Sequence, residues 1–182
     1  MRLEKDDLNQ ILDRNVAWIE NCDNKASIML GALGVAVSVI FALDYASIVL
    51  NVIQEKWSNA SFANISFLIL VTLSLCAFMY GGYKLIKTLT PKIDIENLGS
   101  DEKICSTSNI FFSTIATHSN YTKFLDRLKD TNEDDYLNDI SSQIYICAKI
   151  CDLKFKDYKK GLYFSLGGLL TFISLITFGY FG

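Results

Sequence analysis

Few side chains in this sequence have types and spacing that could support chemistry. Cys147 and Cys151 are four residues apart on one predicted helix face, a spacing that would let both contact one metal ion. Because no further histidine or cysteine lies near them in the sequence, packing is the favoured interpretation. The single histidine, His118, lies near a predicted helix end, where such a residue is usually a cap or a surface group. Phosphate-cradling glycine loops, nucleophile elbows and metalloprotease helices are absent from the sequence. We therefore expect no enzyme activity, no catalytic residue, no metal site and no resident cofactor.

An acid and a base stand directly beneath a long apolar run, in the stretch "WIENCDNKASIML". Trp18 is the aromatic anchor expected at a membrane interface, and Lys25 can extend its ammonium group toward the lipid headgroups. Asp23 is not explained in this way. The two charged residues are two positions apart, so on a helix they point in different directions and do not pair with each other. We expect each to meet a partner on another helix. The basic residues that precede the third apolar run are candidates for such a partner. Trp18, Asp23 and Lys25 are therefore predicted to form a membrane junction with a switching role.

The apolar residues of the chain come in three long blocks that contain no charged residue: Ala26–Leu43, Ile65–Tyr83 and Gly161–Gly182. A helix that crosses a bilayer needs about 20 consecutive apolar residues, and each block approaches or exceeds this length. Roughly 25 residues of mixed charge precede the first block, unlike the short basic start of a signal peptide. The pattern therefore predicts three retained membrane spans.

The distribution of basic residues predicts the orientation. Only Lys56 lies between the first two blocks, whereas the other 16 of the 17 basic residues lie in the first 25 residues or in Lys84–Lys160. Because basic loops stay in the cytoplasm, we expect the N-terminus and the middle region inside and the C-terminus outside. The net charge of −3 gives no indication of nucleic acid as a partner, and five cysteines without paired spacing favour reduced thiols.

The predicted fold is an all-α membrane protein whose three spans extend into a small cytosolic helical bundle. Apolar residues recur at helical spacing through the first 25 residues, and again from Glu133 into the third block, so each stripe predicts one uninterrupted helix. A loop is predicted through "DIENLGSDEK". The predicted segments are a cytosolic amphipathic helix (1–25), transmembrane helix 1 (26–48), a short external turn (49–63), transmembrane helix 2 (64–86), a cytosolic helical region (87–159) and transmembrane helix 3 (160–182).

Small residues line one face of the first span: Ser27, Gly31, Gly34 and Ser38. Such a row lets helix backbones approach closely inside lipid. It is compatible with packing against another span of the same chain and with contact between subunits. We expect a homo-oligomer, because three short spans with few polar residues do not enclose a water-filled path by themselves.

Three stretches of the sequence resemble the Pycsar transmembrane effector family (PycTM-like). The first is "NVAWIENCDNKASIMLGALG", with a Trp-Ile followed by Asp-x-Lys-Ala at the foot of the first span. The others are "IFFSTIATHSNYTKFLDRL" and the closing stretch "DDYLNDISSQIYICAKICDLKFKDYKKGL". The order of two spans, a helical middle and a third span is also similar. The matching residues are Trp18, Ile19, Asp23, Lys25, Ala26, Phe112, Ile115, Ala116, Phe124, Asp139, Gln143, Ile150 and Lys154.

The resemblance implies an antiphage defence effector of the bacterial inner membrane. In that family a partner pyrimidine cyclase makes cyclic UMP (cUMP) or cyclic CMP (cCMP) on infection, and the nucleotide activates an effector that impairs the membrane and arrests growth. If this chain senses the nucleotide directly, the helical middle must bind it. We expect Lys123 and Arg127 to contact the phosphate and Tyr121 to stack on the base, although a solvated helix face is the alternative for all three.

A different class of function fits the same outline. A partner-gated or holin-like membrane protein, or a structural scaffold, would have three spans and no nucleotide ligand. Binding of cUMP and cCMP to the purified protein distinguishes this alternative from the nucleotide-triggered effector.

Overall fold

The computed structural model describes residues 4–91, 104–105 and 107–181. Within these residues the chain is helical and contains no strand, which confirms the predicted fold class. The predicted loop over 94–103 lies outside the described residues. The helices are α1 (Lys5–Ala42), α2 (Tyr45–Ser58), α3 (Phe62–Leu89), α4 (Phe112–Ala116), α5 (Tyr121–Asp130) and α6 (Glu133–Phe181).

Three of these helices, α1, α3 and α6, are long and apolar enough to cross a membrane. The uninterrupted helices predicted from the two stripes are confirmed, because α1 has 38 residues and α6 has 49. The start of α6 is fixed by Asn132, whose side-chain oxygen accepts a hydrogen bond from the backbone N–H of Asp135 at 2.8 Å. Three acidic residues in the first turn of α6 also favour this start, since they face the positive end of the helix dipole.

The segment between the first two spans differs from the prediction. The first span was predicted over 26–48 and a turn over 49–63, but α1 ends at Ala42 and the 14-residue helix α2 follows. Asp44 separates the two helices with a left-handed φ of 53°. The apolar residues of α2 recur at helical spacing, and Val52 packs with Ile176 of α6 in a common core. This packing explains why the segment forms a helix.

The chain forms two compact units. The polar unit comprises Met1–Asn21 and Pro91–Leu153, and the spanning unit comprises Cys22–Thr90 and Lys154–Gly182. Both α1 and α6 contribute residues to each unit.

In the spanning unit, α3 and α6 pack so closely that glycine is required at their contact. A Cβ atom added at Gly81 of α3 would overlap the backbone of Ser165, and one added at Gly168 of α6 would overlap the backbone of Phe78. Small side chains allow this approach in lipid, where dispersion contacts rather than water exclusion hold helices together. We call this contact the α3–α6 seam.

The row of small residues predicted on the first span is not part of the α3–α6 seam. A Cβ atom at Gly31 or Gly34 would meet no described atom outside its own turn within 4 Å. The buried positions of α1 are instead Cys22, Ala26 and Leu33. Within the described residues, the face of Gly31 and Gly34 therefore makes no close helix contact, and subunit contact stays a prediction for it.

Leucine substitutions on the two glycine rows are expected to have different effects. Gly168→Leu forces a side chain into the α3–α6 seam. It should destabilise the protein by about 1–3 kcal/mol, the usual cost of overpacking. Gly31→Leu meets no neighbour among the described residues, so it should leave the unfolding temperature unchanged while weakening subunit assembly. Thermal unfolding in detergent and chemical crosslinking measure the two effects. Identical crosslinked oligomers in wild type, Gly31→Leu and Gly34→Leu would contradict the assembly role of that face.

Candidate functional site: a buried ion pair and a polar cavity

A buried ammonium group ties three helices together in the spanning unit. Lys154 of α6 is 4% exposed. Its Nζ atom donates to Asp23 Oδ1 of α1 at 2.6 Å and to the backbone carbonyl oxygen of Thr88 of α3 at 2.7 Å. A buried charge is stable only when it is paired and hydrogen-bonded, and Lys154 satisfies both conditions.

Thr88 provides an acceptor because of its place in α3. It is one of the last four residues of this helix, whose carbonyl groups have no partner within the helix and form the negative end of its dipole. Lys154 also lies seven and fourteen residues before Gly161 and Gly168, so the three residues share one face of α6. The ion pair is thus an extension of the α3–α6 seam.

The structure answers the question that Asp23 raises in the sequence. The expected partner from the basic approach to the third span is Lys154. Lys25 points elsewhere, with its exposed side chain's Nζ 5.9 Å from the centre of the Phe155 ring. Trp18, in the polar unit, is 53% exposed. Asp23 is therefore the residue of the predicted junction for which the structure identifies a charged partner.

The polar unit contains a cavity of about 590 Å³. The side chains that line it come from α5, from the start of α6 and from the segment before α4. Lys123 and Arg127 lie one turn apart on α5. Asn120 caps the start of this helix, because its side chain accepts a hydrogen bond from the backbone N–H of Lys123 at 2.9 Å. The cavity therefore brings together the two basic residues predicted to bind a phosphate.

Asn109 holds one wall of this cavity in place. Its side-chain oxygen accepts from Arg127 Nε at 3.2 Å, and its side-chain nitrogen donates to Thr131 Oγ1 at 2.8 Å. Its backbone N–H donates to Asp139 Oδ2 of α6 at 2.7 Å. Arg127 Nη2 also donates to Thr107 Oγ1 at 2.8 Å. The segment 107–109 is thus fixed to both α5 and α6.

Asp139 is a buried carboxylate with only one of its two oxygens hydrogen-bonded by the described residues. Its side chain is 3% exposed, and its Oδ1 atom has no hydrogen-bond partner among the described residues. Nearby in the same wall, burial raises the pKa of the Cys105 thiol, and the negative charge of Asp139 raises it further. Cys105 is therefore a protonated, weakly nucleophilic thiol at neutral pH.

The other sequence candidates do not converge on the cavity. Tyr121, the first residue of α5, is 73% exposed and lies outside the cavity lining, so the structure does not bring it to the two basic residues. The His118 ring lies 5.6 Å from that of Phe124. Burial raises the pKa of Cys147, and the Cys151 thiol raises it further, which fits a packing role.

Two residues of the cavity were missed by the sequence analysis. Asn109 lies in the polar stretch "CSTSN", which has no helical period, and Asp139 looks like one more acid in a helix rich in them. The only signal was the place of Asp139 among the residues that carry the family resemblance.

The fold and the cavity together define a class: an all-α protein with three membrane-crossing helices and a separate polar unit that contains a ligand-sized cavity. The family model for the PycTM Pycsar effector protein domain matches residues 7–181, and the chain belongs to this family. The chain is 29% identical over 181 residues to the Pycsar effector protein GmPycTM of Gulbenkiania mobilis, covering 94% of this chain and 90% of the relative. No solved structure matches it. Membership in the family supports a role as an antiphage effector at a membrane.

Removing Asp23 alone should destabilise the fold more than removing both charges of the ion pair. Asp23→Ala leaves the Lys154 ammonium group buried without its counter-ion, which should cost about 3 kcal/mol; this is the lower end for a buried pair, because the Asp23 side chain is 34% exposed. The double variant Asp23→Ala/Lys154→Met should recover most of that loss. Thermal unfolding in detergent measures both.

Lys25→Ala is the matched control, since it removes a neighbouring exposed charge. A double variant as unstable as Asp23→Ala would contradict the pairing. Dye leakage from vesicles tests the predicted switching role, and Asp23→Ala or Lys25→Ala should alter this leakage. Unchanged leakage from normally inserted variants would contradict the role.

Proposed function

We propose that this chain is an antiphage effector that binds cUMP or cCMP, made by a partner pyrimidine cyclase, and then impairs the bacterial inner membrane. The consequence for the cell is growth arrest or death. The observation that carries the proposal is the cavity of the polar unit, in a chain that belongs to the Pycsar effector family. Its volume of about 590 Å³ lies within the range of about 300–1,000 Å³ that is usual for small-molecule sites.

Lys123 and Arg127 are the groups of the cavity that suit a cyclic phosphate. Charge-assisted hydrogen bonds from basic side chains are the strongest that a protein offers to a phosphate. Arg127 already uses Nε and Nη2 to hold the segment 107–109, so it would both shape the cavity and attract the anion. Because Arg127 is engaged in this way, Lys123 is proposed as the principal phosphate contact.

The response is proposed to travel along α1 and α6, which contribute to both units. In the spanning unit these helices are joined by the Asp23–Lys154 pair. A charged pair at such depth can differ between two packings of the helices, which makes it a suitable switch. The effector is proposed to act as a homo-oligomer in the lipid bilayer, with its N-terminus in the cytoplasm and its C-terminus outside.

Binding and leakage together test the proposed function. The full chain in detergent should bind cUMP or cCMP by calorimetry, and reconstituted vesicles should release dye only when the same nucleotide is added. Cyclic AMP is the matched purine control. Leakage that is independent of every nucleotide, without binding, would favour the partner-gated or holin-like alternative.

Charge reversal on α5 tests the phosphate contact. Lys123→Glu should weaken nucleotide binding by about 10-fold or more, because a hydrogen bond to a charged group is worth about 1.5–3 kcal/mol. Lys129→Glu is the matched control: it makes the same charge change on the same helix, and Lys129 lies outside the cavity lining, 3.8 Å from Asp126. Arg127→Glu should also weaken binding, partly by releasing the segment 107–109. Equal affinity and toxicity in wild type and in both the Lys123 and Arg127 variants would rule out this site.

A further inference from the structure

The lining of the cavity in the polar unit includes a carboxylate, which accepts hydrogen bonds and so cannot serve as a donor to a phosphate. Asp139 lines the cavity, is 3% exposed and gives only its Oδ2 atom to the protein, at 2.7 Å from the backbone nitrogen of Asn109. Its Oδ1 atom has no partner among the described residues. The Oδ1 atom is itself buried, so a ligand donor reaches it when the Asp139 carboxylate turns toward the cavity, and such a donor would satisfy a kind of atom that is nearly always satisfied in proteins.

We propose that Asp139 Oδ1 recognises the base of the cyclic pyrimidine nucleotide by accepting a hydrogen bond from it. The donor would be the N3–H group of uracil or the 4-amino group of cytosine. This inference rests on the proposed function, because it names the residue that selects the base in the same cavity. A nucleotide has an anionic phosphate at one end and neutral N–H donors at the other. The cavity has the corresponding groups on different helices, with Lys123 and Arg127 on α5 and Asp139 on α6.

The charge of the cavity allows this role to be separated from simple electrostatics. Four aspartates line it, Asp126, Asp130, Asp135 and Asp139, against two basic residues. If Asp139 acted only through its charge, it would repel an anionic nucleotide, and neutralising it would tighten binding. If Asp139 accepts a hydrogen bond from the base, the same change weakens binding. The two explanations thus predict opposite signs.

A structural role is the other explanation. Gln143 lies one turn after Asp139 on α6, is 4% exposed, and its Nε2 atom also lacks a partner among the described residues. Rotation of the two side chains would let Gln143 donate to Asp139. In that case Asp139 would contribute to stability and not to selection of the base.

The experiment is nucleotide binding to the full chain in detergent, comparing wild type with Asp139→Asn. Asparagine keeps an oxygen for the Asn109 N–H group and replaces the other oxygen with an N–H donor. We expect Asp139→Asn to bind cUMP or cCMP about 10- to 100-fold more weakly, the range for a lost hydrogen bond to a charged group. Asp130→Asn is the comparison for charge: it neutralises an exposed carboxylate of the same lining, so it should bind the anionic nucleotide slightly more tightly.

Two modified nucleotides make the test independent of any variant. The 2-pyrimidinone analogue of cCMP lacks the 4-amino group and adds no bulk, and N3-methyl-cUMP lacks the N3–H group. Wild type should bind the analogue of its preferred nucleotide at least about 10-fold more weakly, and Asp139→Asn should lose this discrimination. If Asp139→Asn does not fold, equal wild-type affinity for the nucleotide and its analogue still overturns the proposal.

Each contrary outcome has a distinct meaning. Tighter binding by both Asp139→Asn and Asp130→Asn would overturn the proposal and leave Asp139 as a repelling charge. A lower unfolding temperature with unchanged discrimination would make its role structural. Equal wild-type affinity for nucleotide and analogue would also overturn it, whereas failure of wild type to bind any cyclic nucleotide would refute the proposed function itself.

Discussion

The spanning unit depends on the need to neutralise one buried ammonium group. Lys154 lies on α6, and its two acceptors lie on α1 and α3, so a single charge holds three helices at one level. The acceptor on α3 exists only because that helix ends nearby. Pro91, the only proline in the chain, forces Thr90 into an extended conformation, with ψ at 129°, and α3 stops at Leu89. The carbonyl of Thr88 is thereby left without a helical partner and becomes available to Lys154.

The α3–α6 seam fixes the register in which this contact forms. The two helices run in opposite directions, and their contacts follow one another at steps of about one or two turns. Moving α6 by one turn would place a larger side chain where glycine is required and would separate the ammonium group from its acceptors. Steric fit and charge pairing therefore select the same register. The contacts in order are Thr88–Lys154, Leu85–Gly161, Gly81–Ser165 and Phe78–Gly168.

The features that could be predicted from the sequence are those that local patterns determine. Hydropathy and helical period are properties of short windows, so the long helices and the three spans could be read directly. A partner for Asp23 could be expected because an acid at the foot of an apolar run is costly alone. The sequence could not show which glycine row forms a close helix contact, because Gly31 and Gly168 both lie in rows with a helical repeat. The contacts of Asn109 and Asp139 join segments about 30 residues apart, and no local pattern encodes them.

α6 concentrates the costly groups of the molecule in one uninterrupted helix. Asp139, Gln143 and Lys154, the polar residues that carry the family resemblance in this helix, are 3%, 4% and 4% exposed. Burying polar groups opposes folding unless partners compensate, so their presence in one helix requires a reason at each position. At Lys154 the reason is visible, because Asp23 and Thr88 supply the acceptors. At Asp139 the described residues supply a donor for only one of two oxygens. A helix that pairs one buried charge and leaves an oxygen of another without a described donor is suited to change its state when a ligand supplies that donor.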